Sequence, residues 1–336
     1  MGKLVECVPN FSEGHNQDTI RRICEAVRST GARVVSLEAD PDYNRSVLTF
    51  VGDPDTALEG AYACIEACHK LIDMTVHKGE HPRLGACDVT PFVPVRDVTM
   101  EECAALAHKL GARVGSSLDI PVYLYGAGAK PGRDNLATVR KGQYEGLADK
   151  LKDMEWQPDF GPAEMRPKFG AAIIGARPFL IAYNVNLGSD NVEAANEIAK
   201  RVRESGRKVG GEKVPGTLKA VKGMGMLLKE KNIAQVSMNL VDFNVTNLHT
   251  AFEEVKKFAT EFAEEVTGSE IVGLVPMEAM VQAGRYYGGQ YLSPEAAVSK
   301  AAASLNLADL GYFDISEKVL EIVLEKDEAG NPCEKF

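Results

Sequence analysis

The sequence holds a single tryptophan and only six histidines, and it has no uninterrupted apolar run of the length a membrane-spanning helix needs. Its opening, MGKLVECVPNFSEG, has no apolar core of the kind that marks a secretory signal. Basic residues are outnumbered, 38 Lys and Arg against 48 Asp and Glu, leaving a formal net charge of -10. That balance excludes a general nucleic-acid binder, which needs a basic surface to displace counterions. An anionic small molecule then needs a site that is basic against the overall field. The seven cysteines, at positions 7, 24, 64, 68, 87, 103 and 333, are odd in number and include no C-x-x-C pair. Cys64 and Cys68, one helical turn apart, read as small packed apolar groups, and a reduced cytosolic protein is expected. No phosphate-loop spacing, no dinucleotide fingerprint and no nucleophile elbow is present.

What is there is a pattern repeated twice. A length of 336 residues implies about two domains. In the second half, RPFLIAYNVNL (177–187) reads as a strand, and Ser189 is the expected N-cap of a helix with Val192, Ala195, Ile198 and Val202 on one face. LKAVKGMGMLL (218–228) and IAQVSMNLVDFNV (233–245) follow as strands around a turn at 229–232. Leu248, Phe252, Val255, Ala259, Phe262 and Val266 then form an apolar helical stripe, ended by Gly268, before a strand at 270–276. The first half has the same order: strands at 3–9, 32–39, 44–52 and 86–95, a helix closed by Gly31, and another capped by Asp53 with Pro54 at its first turn. Thr99 and Glu102 make a capping box for an extra helix, and 121–128 is a further strand. Strand, helix, strand, strand, helix, strand is the split βαβ order. The expected fold is therefore α+β, a tandem duplication of two ferredoxin-like (βαββαβ) sandwich subdomains at 1–178 and 179–326, with a frayed tail at 327–336. EWQPDFGPAEMRPKFG (155–170), rich in proline and glycine, reads as the irregular stretch between the compact units.

The chemistry concentrates in HKGEHPRLGACDVTPFVPV (77–95). His77 and His81 are spaced as two helical metal ligands would be, but Gly79 and Pro82 disfavour a helix and no third ligand is near. A surface turn with polar decoration accounts for any one of these groups. A histidine held extended at a strand mouth also suits proton transfer near neutral pH. YGAGAKPGRDN (125–135) and RKVGGEKVPG (207–216) read as mobile loops rather than anion cradles. Arg45 opens a strand, where it either grips a carboxylate with two hydrogen bonds or pairs with Glu38 or Asp40 across the hairpin. His249 reads as a capping or core residue.

VECVPNFSEG, NRSVLTFVG, LIDMTVHKGEHPRLGACDVTPFVPVR, PVYLYG, WQPDFGP, KNIAQVSMNLVDF and EIVGLVP together resemble the glutamate formimidoyltransferase family, in its stand-alone form without a cyclodeaminase domain. The resemblance implies transfer of a formimidoyl group from N-formimidoyl-L-glutamate to N5 of tetrahydrofolate, as a cytoplasmic homodimer in histidine degradation. It implies tetrahydrofolate as co-substrate, no metal, and no nucleic-acid or membrane partner. It implies catalytic His81 and a folate-contacting segment formed by Gly161, Pro162, Ala163, Glu164, Met165, Arg166, Pro167, Lys168, Phe169 and Gly170. Arg45 and Arg83 are the expected grips on the donor. Glu38 is the expected assisting carboxylate, one methylene longer than the aspartate of the family pattern, and Asp88 is a second candidate. Formyl transfer or 5-formyltetrahydrofolate processing would use the same residues, and a folate-binding module without turnover is the reading from another class.

Overall fold

The computed structural model describes residues 2–41, 43–79, 81–228, 231–326 and 332–335. Its contacts divide the chain into two compact units, Met1–Pro178 with Glu328–Phe336, and Phe179–Asp327.

In the first unit an interrupted strand, β1 (Leu4–Cys7) and β2 (Asn10–Phe11), leads to α1 (Gln17–Arg28), β3 (Arg33–Asp40), β4 (Arg45–Gly52), α2 (Pro54–Leu71) and β5 (Cys87–Arg96). α3 (Met100–Ser117), β6 (Val122–Gly126), the short helices α4 (Leu136–Val139) and α5 (Leu147–Lys150), and β7 (Ala172–Ala176) complete it. The caps foreseen at Asp53 and at Thr99 with Glu102 are made. One sheet results, in the order β3, β4, β1/β2, β5, β7, β6. The first four strands pair antiparallel, whereas β7 lies parallel to both β5 and β6.

Helices α1, α2 and α3 bury Ile20, Ile23, Ile65, Leu106 and Leu110 on one face of this sheet, against Phe11, Leu48, Phe50 and Phe92. The other face of β5, β7 and β6 is covered by the excursion between β6 and β7. Val139, Leu147 and Leu151 there pack on Val89, Tyr123, Tyr125 and Ile173. Burial on both faces explains why β7 reads AIIGA, an unbroken apolar run without alternation. The sequence reading missed this strand. It also placed 155–170 between the units. That stretch lies inside the first unit, where the Val122 N–H donates to the Phe160 carbonyl at 2.9 Å.

In the second unit β8 (Ile181–Leu187), α6 (Val192–Val202), the small hairpin β9 (Arg207–Val209) and β10 (Glu212–Val214), β11 (Val221–Leu228), β12 (Ile233–Leu240), α7 (Leu248–Glu261) and β13 (Val266–Val272) are followed by helices α8 (Met277–Gly288), α9 (Pro294–Ser304), α10 (Ile315–Lys318) and α11 (Leu320–Glu325). The sheet order is β11, β12, β8, β13. Second strand, third, first, fourth is also the order of β3, β4, β1/β2, β5 in the first unit. The row Ile181, Tyr183, Val185 and Leu187 faces the helices α6 and α7. On the opposite face Gln235 donates to Asn186 at 2.7 Å and Asn186 donates to Asp309 at 2.9 Å. Helices α8 and α9 approach so closely at Gly284 that an added Cβ would lie 1.8 Å from the Ala297 carbonyl oxygen.

Several local expectations are corrected. The α6 N-cap is Asn191, whose side chain accepts from the Ala194 N–H, and not Ser189. Helix α7 stops before Gly268, because Ala263 takes a φ of 55° and the chain turns straight into β13. The 207–216 loop is partly a hairpin, which Gly210 and Gly211 at φ 59° and 90° turn as a mirror-image two-residue loop requires. The expectation that every cysteine is reduced also fails: Cys24 on α1 is disulfide-bonded to Cys333. A separation of 309 residues gave no sequence signal of that pairing. Glu80, two residues of the 229–232 turn, and 327–331 and 336 of the tail lie outside the described residues.

Candidate active site

The site is assembled around a defect in the sheet. Asn10 pairs with Val89 and Phe11 with Cys87, so Asp88 is an extra residue on β5. A bulge of this kind re-aims a side chain that would otherwise follow the strand's alternation. Asp88 is fully buried and accepts three charged or backbone donors: Arg45 at 2.9 Å, Arg140 at 2.6 Å and the Leu84 N–H at 2.8 Å. Burial by itself would raise its carboxyl, but Arg140 and Arg45 together with that N–H outweigh it and hold Asp88 below the usual carboxylate range. Arg45 is fixed further by the Asn10 side-chain oxygen, which accepts from Nη2 at 2.9 Å and from Nε at 3.2 Å. The hairpin ion pair with Glu38 or Asp40 is therefore not Arg45's principal engagement.

His81 stands next to this cluster. Its Nδ1 lies 2.7 Å from the Pro82 carbonyl oxygen. That contact requires an Nδ1–H donor, so the neutral ring keeps its lone pair on Nε2. Desolvation, followed by the positive fields of Arg45 and Arg140, pushes the imidazole down to about 4. Tyr43 meets its edge at a centroid distance of 5.8 Å. At neutral pH the residue is an uncharged proton acceptor.

The loop carrying His81 is held by Asn44, which has a φ of 46°. The Asn44 side chain accepts from the Gly14 N–H at 2.9 Å and donates to the Lys78 carbonyl at 2.8 Å. His77 Nε2 donates to the Asn44 carbonyl at 3.0 Å, while its Nδ1 faces Arg83 Nε at 3.4 Å. With one nitrogen donating and the other accepting, His77 has no lone pair left for a metal. Arg83, 7% exposed, forms a two-point fork on Glu145 at 2.9 and 2.7 Å. That fork lowers the Glu145 carboxyl.

The predicted folate segment is anchored at both ends. Gly161 has a φ of 77°, and an added Cβ would fall 2.0 Å from the Ile120 carbonyl oxygen. At the other end the Ala86 N–H donates to the Phe169 carbonyl at 2.7 Å, and Gly170 pairs with Gly85. The segment therefore finishes against the residues that follow His81. Arg166 is paired with Glu164 at 3.1 Å and with Asp119. The Pro167 carbonyl accepts from the Tyr144 hydroxyl at 2.6 Å, and the Lys168 carbonyl accepts from Met74, leaving the lysine side chain exposed.

Of the predicted residues, His81, Arg45, Arg83 and Phe169–Gly170 are thus gathered about one end of β5. Glu38 lies on the same sheet face as Arg45, opposite Val47 in the β3–β4 register and two pairs inward from Asp40 and Arg45. Gly161 and its neighbours lie away from that end, against α3. Sequence reasoning missed Arg140, Tyr144 and Glu145, which come from the excursion and carry no motif.

Two other features lie outside this cluster. A cavity of about 290 Å³ between α3 and the far end of β6 is lined by His108, Leu124, Lys130, Asp159 and Phe160, and it includes none of the predicted residues. The sulfurs of Cys64, Cys68 and Cys87 lie within 4.8 Å of one another, the one such ligand group among the described residues. All three are fully buried in the apolar core.

A family model for the formiminotransferase domain, N-terminal subdomain, matches residues 4–177, and one for the formiminotransferase domain matches residues 182–325. The chain belongs to the formiminotransferase family. It is 48% identical over 288 residues to a glutamate formimidoyltransferase of Thermoplasma acidophilum, covering 84% of this chain and 92% of that protein. It is 43% identical over 289 residues to one of Streptococcus pyogenes, covering 85% and 94%. It is also 48% identical over 330 residues to the mouse formimidoyltransferase-cyclodeaminase, covering 96% of this chain and 60% of the mouse protein. The chain thus spans less than two thirds of that larger relative. Within the formiminotransferase family, the cluster around His81 falls in the part matched by the N-terminal subdomain model. No helix among the described residues is long and apolar enough to cross a membrane.

Proposed function

We propose that the protein transfers the formimidoyl group of N-formimidoyl-L-glutamate to N5 of tetrahydrofolate, giving 5-formimidoyltetrahydrofolate and L-glutamate, a step of histidine degradation and one-carbon metabolism. The observation that carries this reading is the match along nearly the whole length of two glutamate formimidoyltransferases. The neutral imidazole beside two arginines adds chemical support.

In the proposed mechanism N5 attacks the amidine carbon and a new C–N bond forms. N5 becomes cationic and gives its proton to His81 Nε2. The protonated His81 delivers that proton to the glutamate nitrogen, whose bond to carbon breaks. With its midpoint pushed down to about 4, the protonated ring gives up its proton more readily than an ordinary imidazolium, which suits the second transfer. The tetrahedral intermediate carries positive charge on nitrogen, and Glu38 is the carboxylate proposed to stabilise it. Arg45 and Arg83 hold the donor's carboxylates. For Arg83 the ligand replaces Glu145, an exposed partner whose pairing is weak in water. Gly161 to Gly170 contacts the folate, with Lys168 on its glutamate tail. Activation comes from protonation of the amidine, so the chemistry calls for no metal.

The same reading makes each unit a ferredoxin-like sandwich and the chain a tandem duplication divided near residue 178. It also takes the protein to be a cytoplasmic homodimer, in keeping with its small-molecule substrates and the family resemblance. The deciding experiment incubates the protein with tetrahydrofolate and either N-formimidoyl-L-glutamate or N-formyl-L-glutamate. Formation of the 5-formimidoyl product from the first supports the reading. Transfer from the formyl donor alone, or folate binding with no turnover of either donor, refutes it.

A further inference from the structure

Arg140 caps the C-terminus of α4, in the excursion that covers one face of β5, β7 and β6. Its Nη2 donates to Asp88, and its side chain is 14% exposed. Its Nε is buried and makes no hydrogen bond. Buried guanidinium donors are normally satisfied, so an orphan edge calls for an acceptor. Asp88 does not supply it: one of its oxygens accepts from both Arg45 and Arg140, and the other accepts from the Leu84 N–H. Two guanidinium charges against one carboxylate leave this trio with a net positive charge next to a neutral imidazole.

The proposed donor is a dicarboxylate whose reacting nitrogen sits on the α-carbon. Any group that handles that nitrogen's proton has the α-carboxylate within a few bond lengths. The guanidiniums whose fields reach the His81 ring are those of Arg45 and Arg140, whereas Arg83 is directed to Glu145. A planar fork with a free N–H edge matches a carboxylate.

Resting on the formimidoyl-transfer reading, we propose that Arg140 is a donor-binding residue, its open Nε edge and Arg45 forming the subsite for the α-carboxylate of N-formimidoyl-L-glutamate beside His81. The side-chain carboxylate is left to Arg83. Arg140 then sets specificity: a formimidoyl compound without the α-carboxylate gains nothing from it.

The test is calorimetric titration, without folate acceptor, of N-formimidoyl-L-glutamate and of N-formimidoyl-4-aminobutyrate into the wild type, Arg140→Gln and Arg140→Lys. Arg140→Gln is expected to weaken binding of the glutamate compound roughly 10- to 100-fold, the scale of a lost charged hydrogen bond. Binding of the compound lacking the α-carboxylate, and of tetrahydrofolate, should change by less than about twofold. Arg140→Lys should fall between, having charge without the fork. Wild-type donor affinity in Arg140→Gln overturns the assignment. An equal loss of tetrahydrofolate binding overturns it as well, because Arg140 would then act through structure alone. A wild-type protein that binds the donor and transfers nothing defeats the formimidoyl-transfer reading but leaves the Arg140 result standing on its own measurement.

Discussion

Lowering the pH should leave this protein's kcat/KM almost untouched through the range where a typical histidine titrates. An ordinary imidazole, with its midpoint near 6.5, is about one-quarter neutral at pH 6. His81 is pushed down to about 4 by burial and by Arg45 and Arg140, so at pH 6 roughly 99% of it remains the free base. The acid limb of kcat/KM, which reports the free enzyme, is therefore expected between about pH 4 and 5, with no decline from pH 8 to about 5.5. The limb of kcat reports the bound state and should lie higher, because a donor carboxylate on Arg45 offsets part of the field that depresses the ring. The assay is initial-rate formation of 5-formimidoyltetrahydrofolate in constant-ionic-strength buffers, with His81→Ala as control. That variant should lose about 100-fold or more in turnover, the scale of a general base, while still binding folate. Circular dichroism at each pH is needed alongside. A ring with a depressed midpoint favours the folded state fully above pH 6.5, and that contribution is lost as the pH falls toward 4. A kcat/KM limb near 6.5 in folded protein would refute the placement of a half-buried His81 beside two guanidiniums that share one carboxylate. Near-normal turnover in His81→Ala would remove it from the mechanism.

Other outcomes follow from particular contacts. Lys168→Ala should weaken tetrahydrofolate binding several-fold with kcat little changed, and equal affinity by titration would discard the tail-binding role. Gly161→Ala forces a Cβ to 2.0 Å from the Ile120 carbonyl oxygen at a φ of 77°, so a loss of about 1–3 kcal/mol is expected in denaturant unfolding. Unchanged stability there would mean that the turn is not built this way. Cys24→Ser breaks the link to Cys333 and should cost about 2–5 kcal/mol of unfolding free energy. A non-reducing peptide map should show the 24–333 pair in the wild type, and two free thiols at those positions would contradict the bridge.

Elements whose signal is local are legible in the order of residues itself. The Thr99 and Glu102 capping box, Pro54 behind Asp53, and the apolar stripe of α7 are each written within a few residues, because caps and helical faces depend on neighbours along the chain. The resemblance picked out His81 by its neighbours in HKGEHPRL. What failed depended on distant partners. β7 is a strand because β5 and β6 flank it and both its faces are covered, so its sequence shows no alternation. Helix α7 ends at a left-handed alanine that propensity disfavours, imposed by the start of β13. Glu145 and Arg140 lie 62 and 52 residues from the groups they bind.

The sequence alone determined most of the helices and strands and their order in two βαββαβ runs, since these follow from short-range sterics and apolar period. The tertiary structure decided that Asp88 bulges out of β5, that Arg45 and Arg140 converge on it, and that burial, followed by those guanidiniums, keeps the neighbouring imidazole uncharged. Proton affinity depends on the charges and solvent around a ring, and those are supplied by residues that only folding brings together.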